Sequence, residues 1–286
     1  MPSVSPSAPI KEMEMYANHH FIYLGGGPNT TTYKGVGWST KVYRAVITRM
    51  LDDLRKYRSG KCLFDSLSKR ILIVPVVESA TTPQDLMGSA TSIGSIDDVS
   101  YGPTSSNIVV LTMGTGKTAA LWDADARLPG GGSEYLIQFT PGFYDRANVL
   151  AQSFAGQFRA DALLFHELVH AARGTSGVFD GTALSGPLPY GDLKRYTNVD
   201  EFVAIMLTNI YRSERYRTLR LRASHSVKFE SYRKPRTFWK GSEFQRLMDL
   251  FAVQSPSLFW DFAHKVIAQW NPIREYHLSM VDGPCL

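Results

Sequence analysis

No stretch constrains this chain more than Asp161-Ala-Leu-Leu-Phe-His-Glu-Leu-Val-His-Ala-Ala-Arg173. It holds no Gly or Pro and is rich in Leu and Ala, so it predicts a helix, with Gly174 as the residue just past its end. Leu163, Leu164, Phe165, Leu168, Val169, Ala171 and Ala172 place apolar groups on nearly every side. Such a helix belongs in a core. Yet it carries His166, Glu167 and His170, and a buried polar group without partners costs about 1–3 kcal/mol. At helical spacing His166 and His170 lie one turn apart on one face, where two imidazoles can grip a single ion. Glu167 lies about 100° around the helix, within reach of a water held by that ion. A bound metal resolves the cost of burying all three.

The pattern H-E-x-x-H is that of zinc hydrolases. Neutral imidazole is a good ligand for zinc, and a catalytic site leaves one position open for water. The metal lowers the pKa of that water, and a nearby carboxylate takes its proton. The bland alternative is a chance match of a short motif on an ordinary core helix.

Two histidines do not hold a catalytic zinc, and a third protein ligand is expected. The metzincin extension would place Gly at 173 and His at 176, where this chain has Arg173 and Ser176. A carboxylate on a following helix is the other option. Glu201 in Tyr196-Thr-Asn-Val-Asp-Glu-Phe202 is the best candidate, at the start of an apolar helix reached through a Gly-rich loop. Asn198 with Glu201 also resembles a capping box, as does Thr197 with Asp200, and a cap needs no metal. Once His166 and His170 are ligands, Glu201 completes the set. Asp200 is then an acceptor for a ligand histidine N–H, or an alternative ligand.

His166-Glu-Leu-Val-His-Ala-Ala-Arg-Gly174, a Gly-rich loop and then Tyr196 to Phe202 together resemble the gluzincin arrangement of clostridial neurotoxin light chains. They are also similar to the NleD-like zinc endopeptidase effectors that pathogenic bacteria inject into other cells. The likeness is specific over about residues 160 to 210 and architectural before that. It implies an α+β zincin-like fold, a small mixed sheet packed against helices that include the active-site helix. It implies Zn2+ held by His166, His170 and Glu201, with Glu167 as general base. The activity implied is peptide-bond hydrolysis by a secreted or injected bacterial toxin. The strand Glu134–Thr140 would pair with an extended peptide substrate. Arg274, Tyr276 and His277 are candidates to steady an oxyanion, because they carry donors. The alternative for them is a surface tail after the last helix. Tyr190 and Tyr196 are weaker candidates. The partners implied are a protein or peptide substrate in a target cell, with a secretion-system carrier or an immunity protein beside it.

The 286 residues, 44% hydrophobic, suit one large domain over 19–286 behind a polar, Pro-rich tail over 1–18. No signal peptide is read at the N-terminus, and no apolar run spans a membrane. Export by another route is expected, with the chain cytoplasmic in its producer. Cys62 and Cys285 could pair but suggest no disulfide framework. Strands are expected at 21–24, 70–77, 107–113 and 134–140, with Pro75 hinting at an edge or a bulge. Residues 79–106 read as a long loop or hairpin, and 145–158 as a helix or looser arm. Helices are expected at 39–57 with Gly60 closing, at 198 to about 222, at 243–252 and at 256–270. Met113-Gly-Thr-Gly-Lys-Thr118 imitates a phosphate-binding loop, but the Gly that motif needs at 111 is Leu111, so a hairpin turn is expected.

Two competing readings remain open at this point. The run Arg212 to Arg222, with Tyr211 and Tyr216 interleaved, and Tyr232-Arg-Lys-Pro-Arg236 motivate a non-enzymatic nucleic-acid-binding or interaction protein. A solvated helix face explains the same run, and nucleic acid is not the expected partner. A structural zinc would need a fourth protein ligand, for which His225 and His264 are candidates.

Overall fold

Five short strands collect the apolar runs of the N-terminal half into one mixed sheet. They are β1 (Met13–Met15), β2 (Ile22–Gly25), β3 (Ile71–Val74), β4 (Ser89–Ile93) and β5 (Glu134–Gln138), in the order β1-β2-β3-β5-β4. β3 pairs in parallel with β2 and with β5, while β1 and β4 run antiparallel to their neighbours. All four residues of β3 are buried, as expected of a strand covered on both faces. This is a computed structural model, and it describes residues 8–9, 13–25, 39–75, 89–93, 100–101, 122–123, 128–132, 134–139, 160–184, 196, 198–217, 220–222, 229–231, 235–238 and 242–281.

The helices are α1 (Thr40–Arg55), α2 (Arg58–Asp65), α3 (Ala160–Thr175), α4 (Val199–Tyr216), α5 (Pro235–Phe238), α6 (Ser242–Gln254), α7 (Pro256–Lys265) and α8 (Pro272–Val281). The chain is therefore a mixed α and β protein. One continuous core joins Ile22, Ile71 and Ile137 of the sheet to Leu164, Phe165 and Leu168 of α3. It runs on to Leu247, Phe251 and Trp270 in the C-terminal third. α3 lies against β5 and β4 on one side and against α4 on the other. Phe165 and Tyr211 stack face to face across the α3–α4 contact, with ring centroids 4.6 Å apart.

Several boundaries differ from expectation. Pro75 falls one residue after β3, so the strand is central and needs no edge. Gly60 does not close α1 but lies inside α2, where a Cβ would come 2.0 Å from the Leu54 carbonyl oxygen. The chain is already in the sheet at Met13, and Tyr16 is buried with its hydroxyl donating to Asp52 Oδ1 at 2.6 Å, so a tail to residue 18 is too long. Within 79–106, read as a long loop or hairpin, residues 89–93 form β4. α4 ends at Tyr216 with Arg217 left-handed, and Arg220–Arg222 instead pairs as a strand with Phe229–Ser231. Residues 272–281, for which a surface tail is the alternative reading, form α8. The strand expected at 107–113, the imitation phosphate loop and residues 145–158 lie outside the described residues.

The end of α3 is built by backbone packing. Gly174 is helical, and the helix ends at Thr175, two residues later than expected, with Gly177 just beyond it at φ +73°. Gly177 N–H donates to Gly174 O and Val178 N–H to Arg173 O, a Schellman closure. Gly130 N–H reaches Gly177 O at 2.7 Å, so the Gly-rich turn before β5 sits directly on the helix end.

Candidate metal centre

α3 is buried along nearly its whole length, and His166, Glu167 and His170 are 1%, 5% and 7% exposed. α4 starts beside them. Asn198 caps it by accepting Glu201 N–H at 2.8 Å, so the cap expected from the sequence is present. The Glu201 carboxylate turns instead toward α3. One oxygen lies 3.5 Å from His166 Nε2 and the other 3.3 Å from His170 Nε2. The two Nε2 atoms face each other at 3.1 Å. Capping and ligation are therefore not alternatives, because the cap uses the Glu201 backbone N–H and leaves its carboxylate facing the two histidines.

These separations fit the donor chemistry. Ligands about 2.0–2.1 Å from a shared tetrahedral zinc stand roughly 3.3 Å apart. Among the described residues, His166, His170 and Glu201 are the group of three whose ligand atoms converge in this way. Two imidazoles and one carboxylate, with a fourth position left over, make a set suited to zinc and to water.

Asp200, fully buried, hydrogen-bonds His170 Nδ1 through Oδ2. That bond sets the His170 tautomer and leaves Nε2 facing His166 and Glu201. Burial alone would lower the His170 pKa, but the Glu201 and Asp200 carboxylates outweigh it and hold the imidazole well above its ordinary value. The pocket favours positive charge. Asp200 thus stands in the histidine-orienting place of its two expected roles, and it is the Glu201 carboxylate that converges with the two Nε2 atoms.

Tyr276 and His277 stand elsewhere. The Tyr276 hydroxyl donates to Asp249 on α6, and its ring packs edge-on against Phe259. His277 lies against Trp260 and His264, with ring centroids 4.5 Å and 4.6 Å away. These contacts tie both residues to the C-terminal helices and lend no support to an oxyanion role. Arg274 is in the first turn of α8, capped by Asn271. Tyr196 is buried against Phe202. Tyr190, Thr197, His225 and Cys285 lie outside the described residues. His264, the other candidate for a fourth ligand, belongs to the Trp260–His277 cluster.

Two further expectations change. β5 is flanked on both sides, by β3 and β4, so it offers no free edge to a peptide. Among the described residues the sheet ends on that side at β4. The basic run is divided: Arg212 is buried, and Arg215 pairs with Asp161 at 3.1 Å and lies over the rings of Tyr57, Tyr211 and Tyr216. Among the described residues a continuous basic stripe does not form there.

Sequence reasoning passed over Arg173, Asp180 and Gln254, which surround Asp200. Arg173 left a signal, a lone cation on an otherwise apolar helix one turn past His170. Gln254 left none.

No protein-family model, no curated protein and no solved structure matches this chain.

Proposed function

We propose that this chain is a zinc-dependent endopeptidase of gluzincin type, used as a secreted or injected bacterial toxin. The observation that carries the reading is the convergence of His166, His170 and Glu201 beside Glu167 in a buried, cation-favouring pocket. The toxin role rests on the resemblance of residues 160 to 210 to injected effectors.

His166, His170 and Glu201 would hold the metal, which supplies a Lewis acid for a carbonyl oxygen and lowers the pKa of a water. Glu167 accepts the proton of the attacking water and returns it to the leaving amine. Asp200 keeps His170 in the tautomer that leaves Nε2 free for the metal. An extended substrate adds to the sheet at β4, the strand beyond β5 that also touches α3.

Metal content by mass spectrometry on purified wild type, His166→Ala and Glu201→Ala tests the ligand set. About one zinc per wild-type chain is expected, lost or much reduced in both variants. No zinc in wild type after zinc addition would reduce the motif to a chance match on a core helix.

A further inference from the structure

The Asp200 side chain is held in a closed ring of hydrogen bonds that leaves the α3–α4 pair and returns to it. Asp200 Oδ1 accepts Arg173 Nε. Arg173 Nη2 donates to Gln254 Oε1 at 2.7 Å and to Val178 O at 2.9 Å. Gln254 Nε2 donates to Asp180 Oδ2 at 2.7 Å. The ring closes at the backbone, where Asp180 O accepts Asp200 N–H at 2.9 Å. Arg173 Nη1 adds a bond to Ser255 Oγ at 2.9 Å.

Every side chain in this ring is buried: Arg173 is 1% exposed, Asp200 0%, Gln254 3% and Asp180 8%. Both ends of the Gln254 amide are used, so the amide has one satisfied orientation. Arg173 holds one oxygen of the Asp200 carboxylate through Nε, and the remaining oxygen meets His170 Nδ1. Gln254 ends α6, and Ser255 is the residue before α7. The orientation of one candidate ligand therefore depends on a junction distant in sequence.

We propose that Arg173 is a positioning residue, which ties the zinc affinity of the centre to the seating of the α6–α7 junction through Asp200 and His170. The inference rests on the metal-site reading and adds a control point to it. A substitution at the junction changes metal binding without touching a ligand. A partner that displaced the junction would do the same.

The test is zinc affinity by chelator competition on the full chain, for wild type, Gln254→Ala, Arg173→Lys, Asp200→Ala and the double variant Gln254→Ala with Asp200→Ala. Melting of each metal-free protein is followed alongside. Gln254→Ala should weaken zinc about tenfold, the lower end of the effect of outer partners of metal ligands. In the Asp200→Ala background it should weaken zinc no further, because the path to His170 is already cut. Cobalt-loaded Gln254→Ala should show shifted visible bands, reporting a tilted His170. Wild-type affinity in Gln254→Ala and Arg173→Lys would overturn the proposal. So would an equal loss with and without Asp200, which would mark the ring as structural only. Should Arg173→Lys fail to fold, Gln254→Ala decides, since it leaves the guanidinium on Asp200, Val178 and Ser255. A wild type that binds no zinc removes the metal centre itself, and this inference with it.

Discussion

Glu167 is the residue whose chemistry can be separated from its scaffold. It lies in the middle of α3 and is 5% exposed. Glu167→Gln keeps shape and removes the proposed base. It should keep about one zinc per chain and lose at least about 100-fold in rate on any peptide the wild type cleaves. Loss of zinc, or an unchanged rate, would take the base role away from this residue. Cys62 makes the opposite case, a reactive group made inert. Burial first, then the charge of Asp261, pushes its thiol up to about 12. Iodoacetamide at about pH 8 should leave the native Cys62 peptide unmodified and label it in guanidinium. Native labelling would show that α2 opens readily.

Helix ends show how elements in this chain depend on distant partners. α2 has no side-chain cap of its own at Tyr57. Glu214 of α4 supplies one from far along the chain, accepting Arg58 N–H at 2.8 Å, Ser59 N–H at 3.0 Å and the Ser59 hydroxyl at 2.6 Å. Its charge also complements the positive end of the α2 dipole. Glu214→Ala should cost about 1–2 kcal/mol in urea unfolding, the upper range for a lost cap. A change within about 0.5 kcal/mol, the range of ordinary surface substitutions, would mean that water replaces the cap. α8 teaches the converse. Asn271 as cap and Pro272 at the first helical position are a readable start signal, and Asn271 Oδ1 does accept Arg274 N–H.

For the whole molecule, the proposed ligands come from α3 and α4, and one core joins both to the sheet and the C-terminal helices. Ligand binding to the folded state alone stabilises that state by mass action. Free zinc about 100-fold above Kd should add roughly 2.7 kcal/mol, several degrees in Tm, and His166→Ala should abolish the shift. An equal shift in His166→Ala would place the bound zinc elsewhere.

The metal motif was legible because its information is local. His166, Glu167 and His170 share one helix, and helical periodicity alone puts them on adjoining faces. Glu201 was legible because its cap and its apolar helix start also lie within a few residues. The apolar runs behind β2, β3 and β5 were equally visible, since burial on a sheet leaves a mark in each strand. Position within the sheet left no such mark. Only strand pairing put β3 at the centre and β4 outside β5, which moved the available edge away from Glu134–Gln138. The end of α3 was likewise a tertiary decision, because Gly174 packs against Tyr135 and Gly177 meets the Gly130 turn. The ring around Asp200 was beyond any local pattern. Arg173, Asp180 and Gln254 become neighbours only when the C-terminal helices dock, and a hydrogen bond between distant residues has no periodicity to read.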